Sequence, residues 1–274
     1  MNDPVTEPSL LSSIFLAFVQ GVTEFLPVSS SGHLAAAQIV WPWMRFPGGE
    51  AFEVAVHLGT TVAVIFYYRH LLLGLLREAR SGVVTEGLTT TQWAGYILAA
   101  SVPTAAIGLG LEDVIHAAFN DLGLIAMCFF ITGVVLMTTH FVERRADSLT
   151  LPIAIGIGIV QGAAIFPGVS RAGVTISLAL LLGIAHRQAV TFSFLLSVPA
   201  ILGAALLTSL DLLETPIGSR FLYANMAFAT VCAGAIGYVC IGLVHRATED
   251  RWWHRFAWYL WALAAAVLAW LALG

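Results

Sequence analysis

Two short stretches of the sequence combine side chains that handle phosphate. The first, residues 19–33 (VQGVTEFLPVSSSGH), contains the carboxylate of Glu24, three consecutive serines and the imidazole of His33. The second, residues 167–175 (PGVSRAGVT), places Arg171 among small and hydroxyl-bearing residues. The planar fork of arginine suits a phosphate or a carboxylate, and a hydroxyl nucleophile needs a nearby base. Together the two stretches indicate phosphoryl transfer or hydrolysis.

Individual residues of these stretches have candidate roles and structural alternatives. Ser30 is the candidate nucleophile, and His33 follows it by one helical turn as candidate acid/base. Glu24 is expected to hold a divalent cation or to orient His33. Arg171 binds an anion in one interpretation, and in the other it only pairs with Glu24 to join the two stretches. His57, in HLGTT, is expected to make a polar contact between helices rather than to enter the site.

The composition places these residues in a membrane. The chain has 274 residues, of which 59% are hydrophobic and 10% charged, and its mean hydropathy is +0.89. Soluble domains carry about 25% charged residues, so this chain cannot cover a soluble surface. The formal charge of −4 argues against a nucleic-acid partner. Polar groups at membrane depth persist only where protein or a water-filled cavity surrounds them, so the phosphate donor is expected to be linked to a lipid.

The apolar runs predict an all-α integral membrane protein with six transmembrane helices and two re-entrant helical hairpins. The hairpins cover residues 10–44 and 151–186, and each is broken by a proline. The predicted spans are 51–68, 93–110, 123–141, 190–208, 222–243 and 256–273. The connection 69–92 is expected to be a loop. Arginines gather in the connections at 69–80, 144–145, 187 and 246–255. The positive-inside rule places these connections in the cytoplasm and both termini outside.

An internal repeat relates the two halves of this single membrane domain. The VQG of residues 19–21 recurs at residues 160–162, and the pattern VSxxG recurs at the same offset. Residues 10–141 and 151–273 are therefore predicted pseudo-repeats, although apolar sequence also aligns easily by chance. Because each half crosses the membrane an odd number of times, the second half is expected to be inverted, as in many transporters. The two hairpins would then meet near the middle of the bilayer.

The motifs resemble those of the undecaprenyl-pyrophosphate phosphatases of the bacitracin-resistance type (BacA/UppP). The resemblance covers essentially the whole chain and is carried by QGVTE at 20–24, PVSSSGH at 27–33, PGVSRAGVT at 167–175 and FSFLLSVPAILGA at 192–204. It implies hydrolysis of the C55 polyprenyl diphosphate to the monophosphate on the outer face of the bacterial inner membrane. This reaction recycles the lipid carrier of peptidoglycan synthesis and confers bacitracin resistance.

The resemblance also implies roles for particular residues. Ser30 corresponds to the nucleophile or its close neighbour, His33 to the acid/base, Arg171 to the phosphate clamp and Glu24 to a carboxylate that binds metal or positions water. The expected substrate-binding residues are Gln20, Ser29, Ser31, Ser170 and Thr175, although Ser29 or Ser31 alternatively caps a helix.

The resemblance and the sequence also give expectations about a cofactor, about partners and about a competing function. Members of the family require a divalent cation, Mg²⁺ or Ca²⁺. Many of them have Glu where this chain has Gln20, and Ser where it has Ala172. The expected partners are the polyprenyl diphosphate and the bilayer, and a homodimer is left open. The competing hypothesis is a transporter or flippase of the lipid carrier, because inverted repeats and broken helices are typical of transporters.

Overall fold

The structure is a computed structural model that describes residues 10–44, 46, 49–77, 84–142, 147–214 and 220–273. In its first half the α-helices are α1 Leu10–Thr23, α2 Ser30–Val40, α3 Gly49–Tyr67, α4 Arg69–Arg77, α5 Thr90–Gly110, α6 Glu112–Ala118 and α7 Leu122–Thr138. In its second half they are α8 Leu151–Ala163, α9 Arg171–Leu181, α10 His186–Glu214, α11 Arg220–Glu249 and α12 Phe256–Leu273. Short 3-10 turns follow α2 and α7 and precede α12.

The connection expected to be a loop between the first two spans contains regular structure. It begins with α4 and continues as a two-stranded antiparallel hairpin, β1 Val84–Thr85 and β2 Leu88–Thr89, in which Val84 pairs with Thr89 and Thr85 with Leu88. The prediction of a loop was wrong here, because the apolar residues of α4 support a nine-residue helix, and strands of two residues each are too short to give a sequence signal. Gln188 fixes the hairpin by donating from its side chain to the Glu86 carbonyl at 2.6 Å.

Five helices in the described part of the chain are long and apolar enough to cross a membrane: α5, α7 with its following turn, α10, α11 and α12. The prediction of a helical chain that crosses the membrane several times is therefore confirmed. Four further apolar helices are shorter, namely α1, α8, α9 and the stretch Ala51–Tyr67 of α3. Among the arginines used to predict orientation, Arg80, Arg144 and Arg145 lie outside the described residues.

The short helices α1 and α8 each pack against a long helix from the opposite half of the chain. Helix α1 packs against α11, whereas α8 packs against α5. A Cβ atom at Gly158 of α8 would lie 2.1 Å from the carbonyl oxygen of Ala100 on α5. The hydroxyl of Thr104 donates to the carbonyl of the same glycine at 2.8 Å. Small residues and interhelical hydrogen bonds are the interactions that hold helices together in lipid, so each half holds the short helices of the other.

Candidate active site

Two serine-capped turns begin the short helices α2 and α9. The Ser29 hydroxyl accepts from the backbone N–H of Gly32 at 3.3 Å, and the Ser170 hydroxyl accepts from that of Gly173 at 3.0 Å. Each serine thus satisfies one of the N–H groups that lack a partner at a helix start. Helix α9 begins 141 residues after α2, and both helices have 11 residues.

The two turns are in direct contact. The Ser29 hydroxyl also accepts from the backbone N–H of Gly168 at 3.0 Å. A Cβ atom at Gly32 would lie 2.6 Å from that nitrogen, so the approach requires glycine. Ser29 itself has a left-handed φ of 67°, a conformation that costs a non-glycine residue about 1–3 kcal/mol. The contact between the two stretches therefore fixes a strained serine in the centre of the protein.

The carboxylate of Glu24 is the point at which the predicted residues converge. It is only 8% exposed and lies just after the end of α1. One oxygen, Oε1, forms an ion pair with Arg171 Nη2. The other, Oε2, accepts from the Ser30 hydroxyl at 2.6 Å and from the Gln20 amide at 3.0 Å, and it lies 3.3 Å from His57 Nε2. A buried carboxylate is costly unless it is paired and hydrogen-bonded, and these four side chains meet that requirement.

His57 makes the polar contact between helices that was predicted for it, and its partner is the carboxylate of Glu24 in the candidate site. Its Nδ1 lies 2.7 Å from the carbonyl oxygen of Glu53, one turn earlier on α3. That contact orients the ring so that Nε2 faces Glu24, in the manner of an outer-shell hydrogen bond that fixes a histidine. Sequence spacing gave no signal for this role, because His57 lies on a different helix from the two turns.

His33 does not contact the Ser30 hydroxyl as the spacing predicted. Its Nδ1 lies 2.7 Å from the Ser29 carbonyl oxygen, and its Nε2 lies 2.8 Å from the Tyr259 hydroxyl on α12. The ring also stacks on Tyr259, with an interplanar angle of 4°. Both ring nitrogens are thus engaged, and the acceptor of the Ser30 proton is Glu24. The prediction that His33 pairs with Ser30 was therefore wrong. The Ser29 carbonyl, one turn earlier, orients the imidazole toward α12 instead.

The other hydroxyls predicted to bind substrate are engaged within the protein. Ser29 and Ser170 are the two helix caps described above. For Ser29, capping was the predicted alternative to substrate binding. Ser31 lies 3.4 Å from Ser29, oxygen to oxygen. Thr175 donates to the Arg171 carbonyl at 2.7 Å and lies 2.6 Å from the Ser193 hydroxyl. A hydroxyl that accepts can still donate, so the capping bonds of Ser29 and Ser170 leave a donor for a ligand, whereas Thr175 would exchange its bond to Arg171. Substrate contact by these groups stays a prediction.

Thr132 on α7 is a further residue of the site that sequence reasoning missed. Its hydroxyl accepts from the Ser170 N–H at 3.2 Å and donates to the Gly168 carbonyl at 3.1 Å. It thereby fixes the turn that precedes Arg171. A lone threonine in an apolar span carries no sequence signal for such a role.

Two buried atoms of the site have no hydrogen-bond partner among the described residues: Arg171 Nη1 and Gln20 Oε1. The first is a cationic donor and the second is an acceptor. Buried polar groups without partners are rare in native proteins and call for an explanation such as a ligand or ion. The site therefore offers a cationic donor and an oxygen acceptor on opposite sides of the same carboxylate.

The family model for bacitracin resistance protein BacA matches residues 13–266 of this chain. The chain belongs to the BacA family. Curated relatives support the same assignment over nearly the whole length. An undecaprenyl-diphosphatase from Rubrobacter xylanophilus is 38% identical, covering 96% of this chain and 99% of the relative. Proteins of the same name from Hahella chejuensis and Syntrophotalea carbinolica are 36% and 37% identical, each covering 95% of this chain and 98% of the relative. The BacA motifs in this chain include the turns that meet at Glu24.

Proposed function

We propose that the protein is an undecaprenyl-diphosphatase that hydrolyses the C55 polyprenyl diphosphate to the monophosphate. The observation that carries the proposal is the buried Glu24, which joins the hydroxyl of Ser30 to the guanidinium of Arg171 across two distant turns. Membership of the BacA family and the shared name of the relatives support this function over a flippase. The product returns to peptidoglycan synthesis, and bacitracin resistance follows from the smaller pool of diphosphate.

The reaction divides between the two turns. Ser30 Oγ attacks the terminal phosphorus, and its proton passes to Glu24 Oε2, the acceptor 2.6 Å away. The bond from that phosphorus to the bridging oxygen breaks, and the lipid monophosphate leaves. Water then cleaves the phosphoserine, which yields inorganic phosphate and restores the serine. His33 is proposed to supply or accept a proton after its hydrogen bond to Tyr259 opens.

Arg171 stabilises the charge that develops on the transferring phosphoryl group. Its Nη2 is held by Glu24, whereas Nη1 has no partner among the described side chains and carbonyls. A preorganised donor in a site that excludes water stabilises a transition state more than the same donor in water. The ion pair with Glu24 thus positions the guanidinium and leaves its Nη1 to donate to the phosphoryl group.

A divalent cation, Mg²⁺ or Ca²⁺, fits the oxygen atoms of the site. Glu24 and the unpartnered Gln20 Oε1 would hold it, because such hard cations prefer oxygen ligands. No cluster of three or more His, Cys, Asp or Glu suited to a metal occurs among the described residues. The remaining ligands would therefore come from the substrate and water. When bound, the cation would neutralise phosphate charge.

The finer topology of the protein is part of the same proposal. We propose six spans, with α3 as the sixth, and two re-entrant hairpins, α1–α2 and α8–α9, in one domain of inverted repeats. The 141-residue offset between α2 and α9 and the packing of α1 on α11 and of α8 on α5 support this arrangement. The arginine-rich connections would then face the cytoplasm and the site would open outward. A homodimer stays a prediction, and the mass of the protein in detergent tests it.

Phosphate release by the purified protein in detergent, from farnesyl or C55 diphosphate, tests the activity. A phosphatase releases inorganic phosphate without any membrane gradient. A flippase moves labelled lipid across vesicles and releases none. If the folded protein releases no inorganic phosphate when a divalent cation is supplied, the proposal is contradicted.

A further inference from the structure

A cavity of about 250 Å³ lies at the end of α9 remote from Arg171. Leu180, nine residues after Arg171, forms part of its wall. At 1.5 Å per residue, the two ends of this helix segment are about 14 Å apart. The cavity is therefore distinct from the site at Glu24, and none of the residues assigned to the reaction lines it.

The lining of this cavity is rich in groups that attract anions. It includes three imidazoles, those of His140, His186 and His254, and the guanidinium of Arg251. None of the described residues that line it is an aspartate or glutamate. The rings of His140 and His254 are in contact, with centroids 4.5 Å apart. In this described part of the wall the imidazoles offer hydrogen bonds and Arg251 carries a permanent positive charge, so the wall favours a negatively charged ligand.

Arg251 is held in an unusual conformation at the cavity. Its φ of 61° lies in the left-handed region, which is costly for a residue with a side chain. Its Nη2 donates to the carbonyl of Val142, also in the wall, at 2.8 Å. A guanidinium has five N–H donors, so this bond orients the group and leaves donors for a ligand.

The two threonines of the wall are not donors for a ligand. Thr139 donates to the Leu136 carbonyl at 2.7 Å, and Thr248 donates to the His245 carbonyl at 2.9 Å. A metal ion is also disfavoured, since the described residues contain no group of three or more His, Cys, Asp or Glu that could hold one. The binding groups are therefore the basic side chains.

We propose that this cavity binds a phosphate-bearing anion, either the headgroup of an anionic phospholipid or free inorganic phosphate. Its volume is below the roughly 300–1,000 Å³ of pockets for drug-sized ligands, which suits a headgroup or a small anion. It lies in the arginine-rich connection that contains Arg246 and Arg255. In the topology proposed above, this connection faces the cytoplasm, where basic pockets between membrane helices bind phosphate headgroups. Trp253, in the wall, donates to Ser177 of α9 at 3.2 Å and so joins the cavity to that helix.

Ligand binding to the whole protein in neutral detergent tests this proposal without measuring catalysis. Native mass spectrometry would count bound phosphatidylglycerol and, as a neutral-headgroup comparison, phosphatidylcholine. In a parallel arm, thermal unfolding would be followed with increasing inorganic phosphate and with chloride at equal ionic strength. Preferential binding of phosphatidylglycerol identifies a headgroup, and stabilisation by phosphate identifies the free anion.

Arg251→Gly is the informative variant, because glycine accepts the left-handed φ, so the guanidinium is removed with the rest of the side chain without adding backbone strain. A lost hydrogen bond to a charged group costs about 1.5–3 kcal/mol, so affinity should fall about tenfold or more. His140→Ala, a second variant at a different position, should weaken binding in the same assay. Arg69→Gln is the matched control, since Arg69 lies on α4, donates to the Phe66 carbonyl and does not line the cavity, and it should bind like the parent. Equal binding by the parent, Arg251→Gly and His140→Ala, or no preference for either phosphate probe, would overturn the proposal.

Discussion

The two serine-capped turns share a backbone design but differ in the chemistry that they carry. Ser29 and Ser170 occupy equivalent positions, and each caps an 11-residue helix. After the cap, the first turn has Ser30 and the second has Arg171. The two turns thus share one local geometry, while the hydroxyl and the guanidinium come from different halves of the chain. In the proposed reaction the two turns act together, because Ser30 and Glu24 belong to the first half and Arg171 to the second.

The two glutamines that precede the turns, Gln20 and Gln161, also differ in their hydrogen-bond partners. Gln20 donates to Glu24 at 3.0 Å. Its equivalent Gln161 instead donates to the Leu196 carbonyl at 3.3 Å and lies 3.4 Å from the Thr104 hydroxyl. The difference follows from one position, since Ile165 stands in the second half where Glu24 stands in the first. One glutamine therefore belongs to the site, and the other joins helices.

The largest expected effect comes from Ser30→Ala in the first turn. Loss of the nucleophile should lower the rate of phosphate release by about 10³-fold or more. The measurement is phosphate release by purified protein at saturating substrate, with thermal unfolding as a check of folding. Normal turnover by this variant would show that water or His33 attacks phosphorus directly.

Arg171→Ala in the second turn should lower the rate by about 10²–10³-fold, because an electrostatic donor is lost from a site that excludes water. Arg171→Lys keeps the charge but loses the fork, and an intermediate rate is expected for it. Retention of most activity by Arg171→Ala would mean that the arginine only joins the turns.

His57→Leu should lower kcat by about tenfold, the lower end of the effect of removing an outer-shell partner. His57→Gln retains an N–H donor for Glu24 and should restore most of the rate. A purely structural role would instead lower thermal stability in His57→Leu without this recovery of kcat in His57→Gln.

The smallest effects are expected from the two glutamines. Gln20→Glu should lower the concentration of divalent cation that gives half-maximal activity, because it adds an anionic ligand. Gln161→Ala, the matched change in the second half, should lower the free energy of unfolding by about 1–3 kcal/mol, because a buried hydrogen bond is lost. The concentration of divalent cation that gives half-maximal activity should not change in this variant. An unchanged titration for Gln20→Glu would place the cation away from this residue.

The amino-acid sequence determined the helical membrane class, the two broken stretches and most of the residues at Glu24. These features follow from hydropathy, from prolines and glycines, and from polar residues that lipid tolerates only when they are enclosed. Spacing along one helix did not determine which partner each side chain meets. His57, Thr132 and Tyr259 come from three other helices, and they reach the site only because the helices pack together. The tertiary structure thus assigned the Ser30 proton to Glu24 rather than to His33, since hydrogen-bond partners depend on distances across helices that no local pattern encodes.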